Sequence, residues 1–212
     1  MRTRMRAVVL ASATLTGALL LAGCGGQDQQ AGPAAKAPTP PATATTPAQQ
    51  FNDADVTFAQ QMIPHHQQAV DMAELAETHA QDAEVKKLAA KIQAAQAPEI
   101  EMMSGWLRAW GKPVPTAMPS VGHGGHQMPS MGGHQMPGMM TQQEMDQLMA
   151  ARGAEFDRMF LQMMIKHHEG AVEMARTEQA QGVNPEAKKL AGQIAASQTA
   201  EIAEMRELLG QA

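Results

Sequence analysis

The chain has 212 residues, with 16 Lys and Arg against 21 Asp and Glu for a net charge of −5, a single cysteine, no tyrosine and only 3% aromatic residues. An acidic balance without a basic run argues against a nucleic-acid partner and leaves no polybasic patch for a membrane surface. One cysteine excludes a disulfide within the chain, so packing or a metal must supply the stability.

Residues 1–23 begin with MRTRMR and continue into an apolar run too short for a stop-transfer helix, the pattern of an export signal. The run ends in Leu21-Ala22-Gly23-Cys24, which resembles the lipobox of bacterial lipoproteins. Cys24 would then become the lipidated first residue, anchoring the protein to the outer face of the plasma membrane or in the periplasm. The leader holds three basic residues and no acid, so the mature chain would be more acidic, at −8. Residues 24–52 are rich in Gly, Pro, Ala, Thr and Gln and lack apolar periodicity, which reads as a disordered tether.

From residue 53 to 212 one unit is written twice. At an offset of 102, FAQQMIPHHQQAVDMA from Phe58 falls on FLQMMIKHHEGAVEMA from Phe160, and KKLAAKIQAAQAPEI from Lys86 falls on KKLAGQIAASQTAEI from Lys188. Roughly 20 of 50 positions agree, which marks an internal duplication. In repeat one (53–110), Phe58, Met62, Ala69, Met72, Ala73 and Ala76 keep helical spacing. So do Val85, Leu88, Ile92, Ala95, Ile100, Met103 and Leu107. Breaks fall near 80–83 and at Gly182-Val183-Asn184-Pro185, so each repeat is expected to be a helical hairpin. Two hairpins give an all-α four-helix bundle. Pro64 and Pro98 fall inside helical patterns but correspond to Lys166 and Ala200 in the other copy, so any bend there is dispensable.

Between the repeats, residues 111–140 mix glycine and proline with His123, His126, Met128, His134 and Met136, a composition that reads as metal binding by a linker. Thr141 and Glu144 form a capping box, so a third helix should start there and run on into repeat two (141–212). Met145, Met149, Met159 and Met163 are candidates for its buried side.

The doublets His65-His66 and His167-His168 carry the chemistry. At about 100° per residue both rings flank the buried stripe, and Met62 lies one turn from them. Met72 lies about 10 Å further along the axis, too far to share a small ion with His65. Folding each hairpin about its turn sets His65 opposite Glu99 and Met62 opposite Met102 and Met103. The second hairpin sets His167 opposite Glu201, and Met164 level with Met205. Imidazole with thioether favours copper, above all Cu(I). Glu99 and Glu201 would accept ring N–H groups and fix the tautomers. Against this, a methionine stripe at helical spacing is most often core filling, and a buried histidine is usually just hydrogen-bonded.

MIPHH with AVDMA, MPGMM before a helix start, and FDRMFLQMMIKHHEGAVEMA together resemble the bacterial domain-of-unknown-function 305 family over about residues 53–210. The resemblance implies a ferritin-like four-helix bundle, commonly exported, and some members are copper-binding proteins linked to copper tolerance. It implies His and Met ligands at Met62, His65, His66 and Met72, and at Met164, His167, His168 and Met174. The function expected is an envelope protein without catalysis that sequesters copper or passes it to a protein partner. The alternative is a structural or interaction bundle with no metal role. A di-metal oxidase is disfavoured because no histidine follows a glutamate by three positions.

Overall fold

The computed structural model describes residues 50–116 and 136–211. It contains α1 (Asp53–His79), α2 (Ala83–Ala109), α3 (Gln142–Ala150), α4 (Gly153–Gln181) and α5 (Pro185–Gln211). The described residues are helical with no strand, as expected, and no helix among them is long and apolar enough to cross a membrane.

Helix boundaries follow from caps. Asn52 accepts the Ala54 and Asp55 N–H groups at 3.0 Å, and Asp55 returns to accept the Asn52 N–H at 2.7 Å. Asp82 opens α2 and Asn184 opens α5, each side chain accepting first-turn N–H groups that would otherwise be orphaned. Pro185 then takes the first helical position, where its missing N–H costs nothing. Pro64 and Pro98 both lie inside continuous helices.

The Thr141–Glu144 capping box forms as expected, but the helix it starts does not reach the second doublet. It stops at Ala150, and α4 begins at Gly153, whose φ of +61° suits glycine. The break lets α4 restart in the register of α1, with Glu155 in the place of Asp53. Four long helices therefore form the bundle, and the short α3 packs against α1 and α4.

α1 packs along α2, α4 packs along α5, and the hairpins join through α1 against α4, while α2 and α5 barely meet. Two buried aspartates brace this junction reciprocally. Asp55 accepts the Val183 and Asn184 N–H groups at 3.1 and 2.9 Å, closing the α4–α5 turn. Asp157, its equivalent 102 residues on, accepts the Gln81 and Asp82 N–H groups at 3.1 and 2.9 Å, closing the α1–α2 turn. Each helix start thus holds the turn of the opposite hairpin, so α1 and α4 run antiparallel and the repeat in sequence is a pseudo-twofold in space.

Candidate metal centre

The axis of that pseudo-twofold passes between equivalent histidines. The His65 and His167 rings face each other with centroids 3.7 Å apart and planes 39° apart. All four doublet histidines are fully buried, which is unusual for a side chain with two polar nitrogens.

The second histidine of each doublet turns the other way. His66 Nε2–H donates to Glu99 at 2.7 Å and His168 Nε2–H donates to Glu201 at 2.9 Å. Hairpin folding on sequence alone paired these glutamates with His65 and His167. The correction is about 100° of helix rotation: the first ring of each doublet faces the opposite hairpin, leaving the second to face its own. His65 Nε2–H instead donates to the backbone carbonyl of Pro137 at 3.0 Å.

These acceptors fix the tautomers. A carboxylate or carbonyl can only accept, so in their neutral form His65, His66 and His168 each hold the proton on Nε2 and leave the Nδ1 lone pair bare. None of the three Nδ1 atoms has a hydrogen-bond partner, and neither nitrogen of His167 has one. The His65 carbonyl lies near enough to favour a charged His167 slightly without meeting hydrogen-bond geometry. Burial disfavours the charged forms of His65, His167 and His168. It lowers His65 to about 3, aided by the neighbouring His66, and holds His167 well below the ordinary histidine value. His168 is also lowered by burial, with Glu201 partly opposing.

The methionines sort by the pseudo-twofold and not by repeat. Met62 and Met103 share one buried cluster with Met174, while Met164 and Met205 share the other with Met72. Met72 is thus grouped with the thioether of the opposite doublet. Met102, expected level with Met62, points outward and is 48% exposed, because one further residue of rotation carries it off the buried face. Met145 is buried as expected, and Met149, Met159 and Met163 are half-buried; Leu148 joins Met145 as the buried residue of α3. Met136 is half-buried at the edge of the described chain, while Cys24, His123, His126, Met128 and His134 lie outside the described residues.

Two features were missed in the sequence. Gln96 and Gln198, equivalent residues one turn before Glu99 and Glu201, are buried with amide atoms unpartnered; the repeat alignment shows both and could have flagged them. The second is a strap, residues 136–140. Gln68 clamps it by donating to the Met140 carbonyl at 3.0 Å and accepting the Met140 N–H at 2.7 Å. Gly170, the equivalent of Gln68, has no side chain because a Cβ there would overlap the Pro137 carbonyl. Gly138 turns the strap with a φ of +76°.

The chain is a helical bundle whose two halves meet at buried imidazole nitrogens that lack hydrogen-bond partners. The family model described as "Domain of unknown function (DUF305)" matches residues 55–209, and the chain belongs to this family. It is similar to a DUF305 protein from Streptomyces coelicolor thought to be secreted, with 36% identity over 74% of this chain and 93% of that one and a TM-score of 0.64. A DUF305 fragment from Deinococcus radiodurans is 32% identical over 76% of this chain and 98% of its own, also at 0.64. CopM in its Cu(II)-bound form is 38% identical, covering 74% of this chain and 96% of that one, with a TM-score of 0.60. CopM structures with Cu(I) and with Ag match at 35% identity and 0.58. No individually curated protein matches the chain.

Proposed function

We propose that this protein binds copper, as Cu(I), at the histidine centre, and sequesters it or passes it on without catalysis. The observation that carries this reading is the tautomer set: three buried Nδ1 lone pairs are bared by hydrogen bonds at Nε2 to Pro137, Glu99 and Glu201, with His167 unpartnered beside them. A buried polar group left unmade costs about 1–3 kcal/mol, and an ion at these nitrogens would recover that cost. A carboxylate on the far nitrogen of a ligand histidine orients the ring and raises its basicity. CopM, similar in sequence and fold, is known in Cu(II)-, Cu(I)- and Ag-bound forms, which supports the reading.

Among the described residues no three His, Cys, Asp or Glu side chains form a metal-ligand group. Imidazole nitrogen with thioether sulfur is the donor set that favours a soft ion over a hard one. His65, His66, His167 and His168 would supply nitrogen, and Met62, Met103 and Met164 the sulfur. When bound, copper would be held in a dry, redox-quiet core. The same absence gives the structural reading its weight, in which the histidines only set register between hairpins. Lipid attachment at Cys24 and a place outside the cytoplasm complete the proposal, supported by the leader pattern and by the Streptomyces relative.

Competition titration with a Cu(I) chelator on the tether-free protein tests it. Tight binding, lost when His65, His66, His167 and His168 are changed to Asn with helicity retained, is the expected result. Micromolar or weaker binding unaffected by those changes would leave the structural reading standing.

A further inference from the structure

Pseudo-symmetry gives the α1–α4 junction two equivalent grooves, one on each side of the histidine centre. α3 fills one of them: Met145 and Leu148 are buried in the cluster of Phe160 and Met72, with Met159, Met163 and Leu75 packed against it. His79 Nε2–H donates to the Met149 carbonyl at 3.2 Å, tying α3 to α1. The equivalent groove on the other side is a cavity of about 410 Å³ with Phe58, Met174 and Glu178 among its lining.

This second groove is not a vacant copy of the first. Where the filled groove has Met159, Met163 and Leu75, the open one has Thr57, Gln61 and Thr177, all exposed. Asp53 and Glu173 stand at its rim. Apolar positions that receive a helix on one side have become polar ones on the other, so the cavity suits water and a cation and does not suit an apolar helix. Two of its lining residues also border the histidine centre. Met174 brings a thioether that shares its buried cluster with Met62 and Met103, and Pro137 is the residue whose carbonyl holds His65.

We infer that this cavity is the route by which a soft monovalent cation enters the histidine centre, drawn in by Asp53 and Glu173 and met by the Met174 sulfur. The inference rests on the copper reading above and adds its direction: loading from the open side alone, with α3 closing the other. Clefts lined by one sign of charge raise cation on-rates, and the effect is screened by salt.

Stopped-flow mixing of Ag(I) with the metal-free full chain tests the route. The triple variant Thr57→Met, Gln61→Met, Thr177→Leu repaints the cavity with the side chains its twin already packs. Association should slow about tenfold or more, with equilibrium affinity unchanged within about threefold. Should that variant fold poorly, Asp53→Asn with Glu173→Gln is the second arm, expected to slow association and flatten its dependence on ionic strength. An unchanged on-rate in both variants overturns the route. Failure of the unmodified protein to bind Ag(I) at all is a different result and would refute the copper reading itself.

Discussion

The two repeats agree where they meet and differ around the grooves on either side. His65 and His167, the His66–Glu99 and His168–Glu201 pairs, and the Asp55 and Asp157 braces each recur at an offset of 102 residues. Around them the copies part: Gln68 against Gly170, Ala76 against Glu178, Thr57 against Met159. A duplicated bundle has one junction and two grooves. The junction admits only residues compatible with both halves, whereas each groove can take its own contents, one a helix and the other a polar cavity.

The largest effect should come from breaking what the copies share. Asp55→Ala and Asp157→Ala each strand two backbone N–H groups of the opposite turn, at an expected cost of about 3 kcal/mol each by chemical denaturation. Asp55 also accepts the Asn52 N–H, so its cost should exceed that of Asp157, while both reach at least about 1 kcal/mol. A loss below that in either would mean water replaces the aspartate.

Next come the carboxylates behind the rings. Glu99→Gln and Glu201→Gln keep shape but remove charge, and each should weaken Cu(I) binding about 10–100-fold. Equal losses would say both doublets serve the same ion or equivalent ions; a loss at one site only would make the centre asymmetric.

The smallest effect lies where the copies differ, at Glu178. Its carboxyl is buried against Asp55, and burial followed by that contact pushes it up to about 8. Burial also works against the charge of Asp55, but the backbone N–H groups of Asn52, Asn184 and Val183, with the neighbouring Glu178 carboxyl, outweigh it and hold Asp55 below the usual carboxylate range. Glu178 binds its proton more tightly folded than unfolded. It therefore contributes stability below pH 4.5, and that contribution is lost as the pH rises towards 8. Glu178→Gln should flatten this part of the melting-temperature profile. An unaltered profile would contradict the raised Glu178 carboxyl.

Much of this was legible in the sequence. The 102-residue offset, the break near 80–83, the Asn184 and Thr141 caps and the proline after Asn184 set the helix boundaries, because capping is a local preference. Which histidine meets which glutamate was not, since one residue of register turns a ring by about 100° and only the packed interface settles it. Met102 failed for the same reason. Grouping of Met72 with Met164 depends on α1 and α4 running antiparallel, a long-range fact no single helix encodes. The strap over His65 lay beyond reach because Pro137 acts through a backbone carbonyl, which carries no side-chain signature.

The central claim is that the buried Nδ1 atoms are the metal donors. Nitrogen-detected NMR of the histidine rings during Ag(I) titration tests it directly. The account predicts Nε2–H tautomers for His65, His66 and His168 before addition, then large Nδ1 shifts in doublet rings with the Nε2 protons retained. Shifts confined to Nε2, or rings that remain unchanged while silver binds elsewhere, would contradict it.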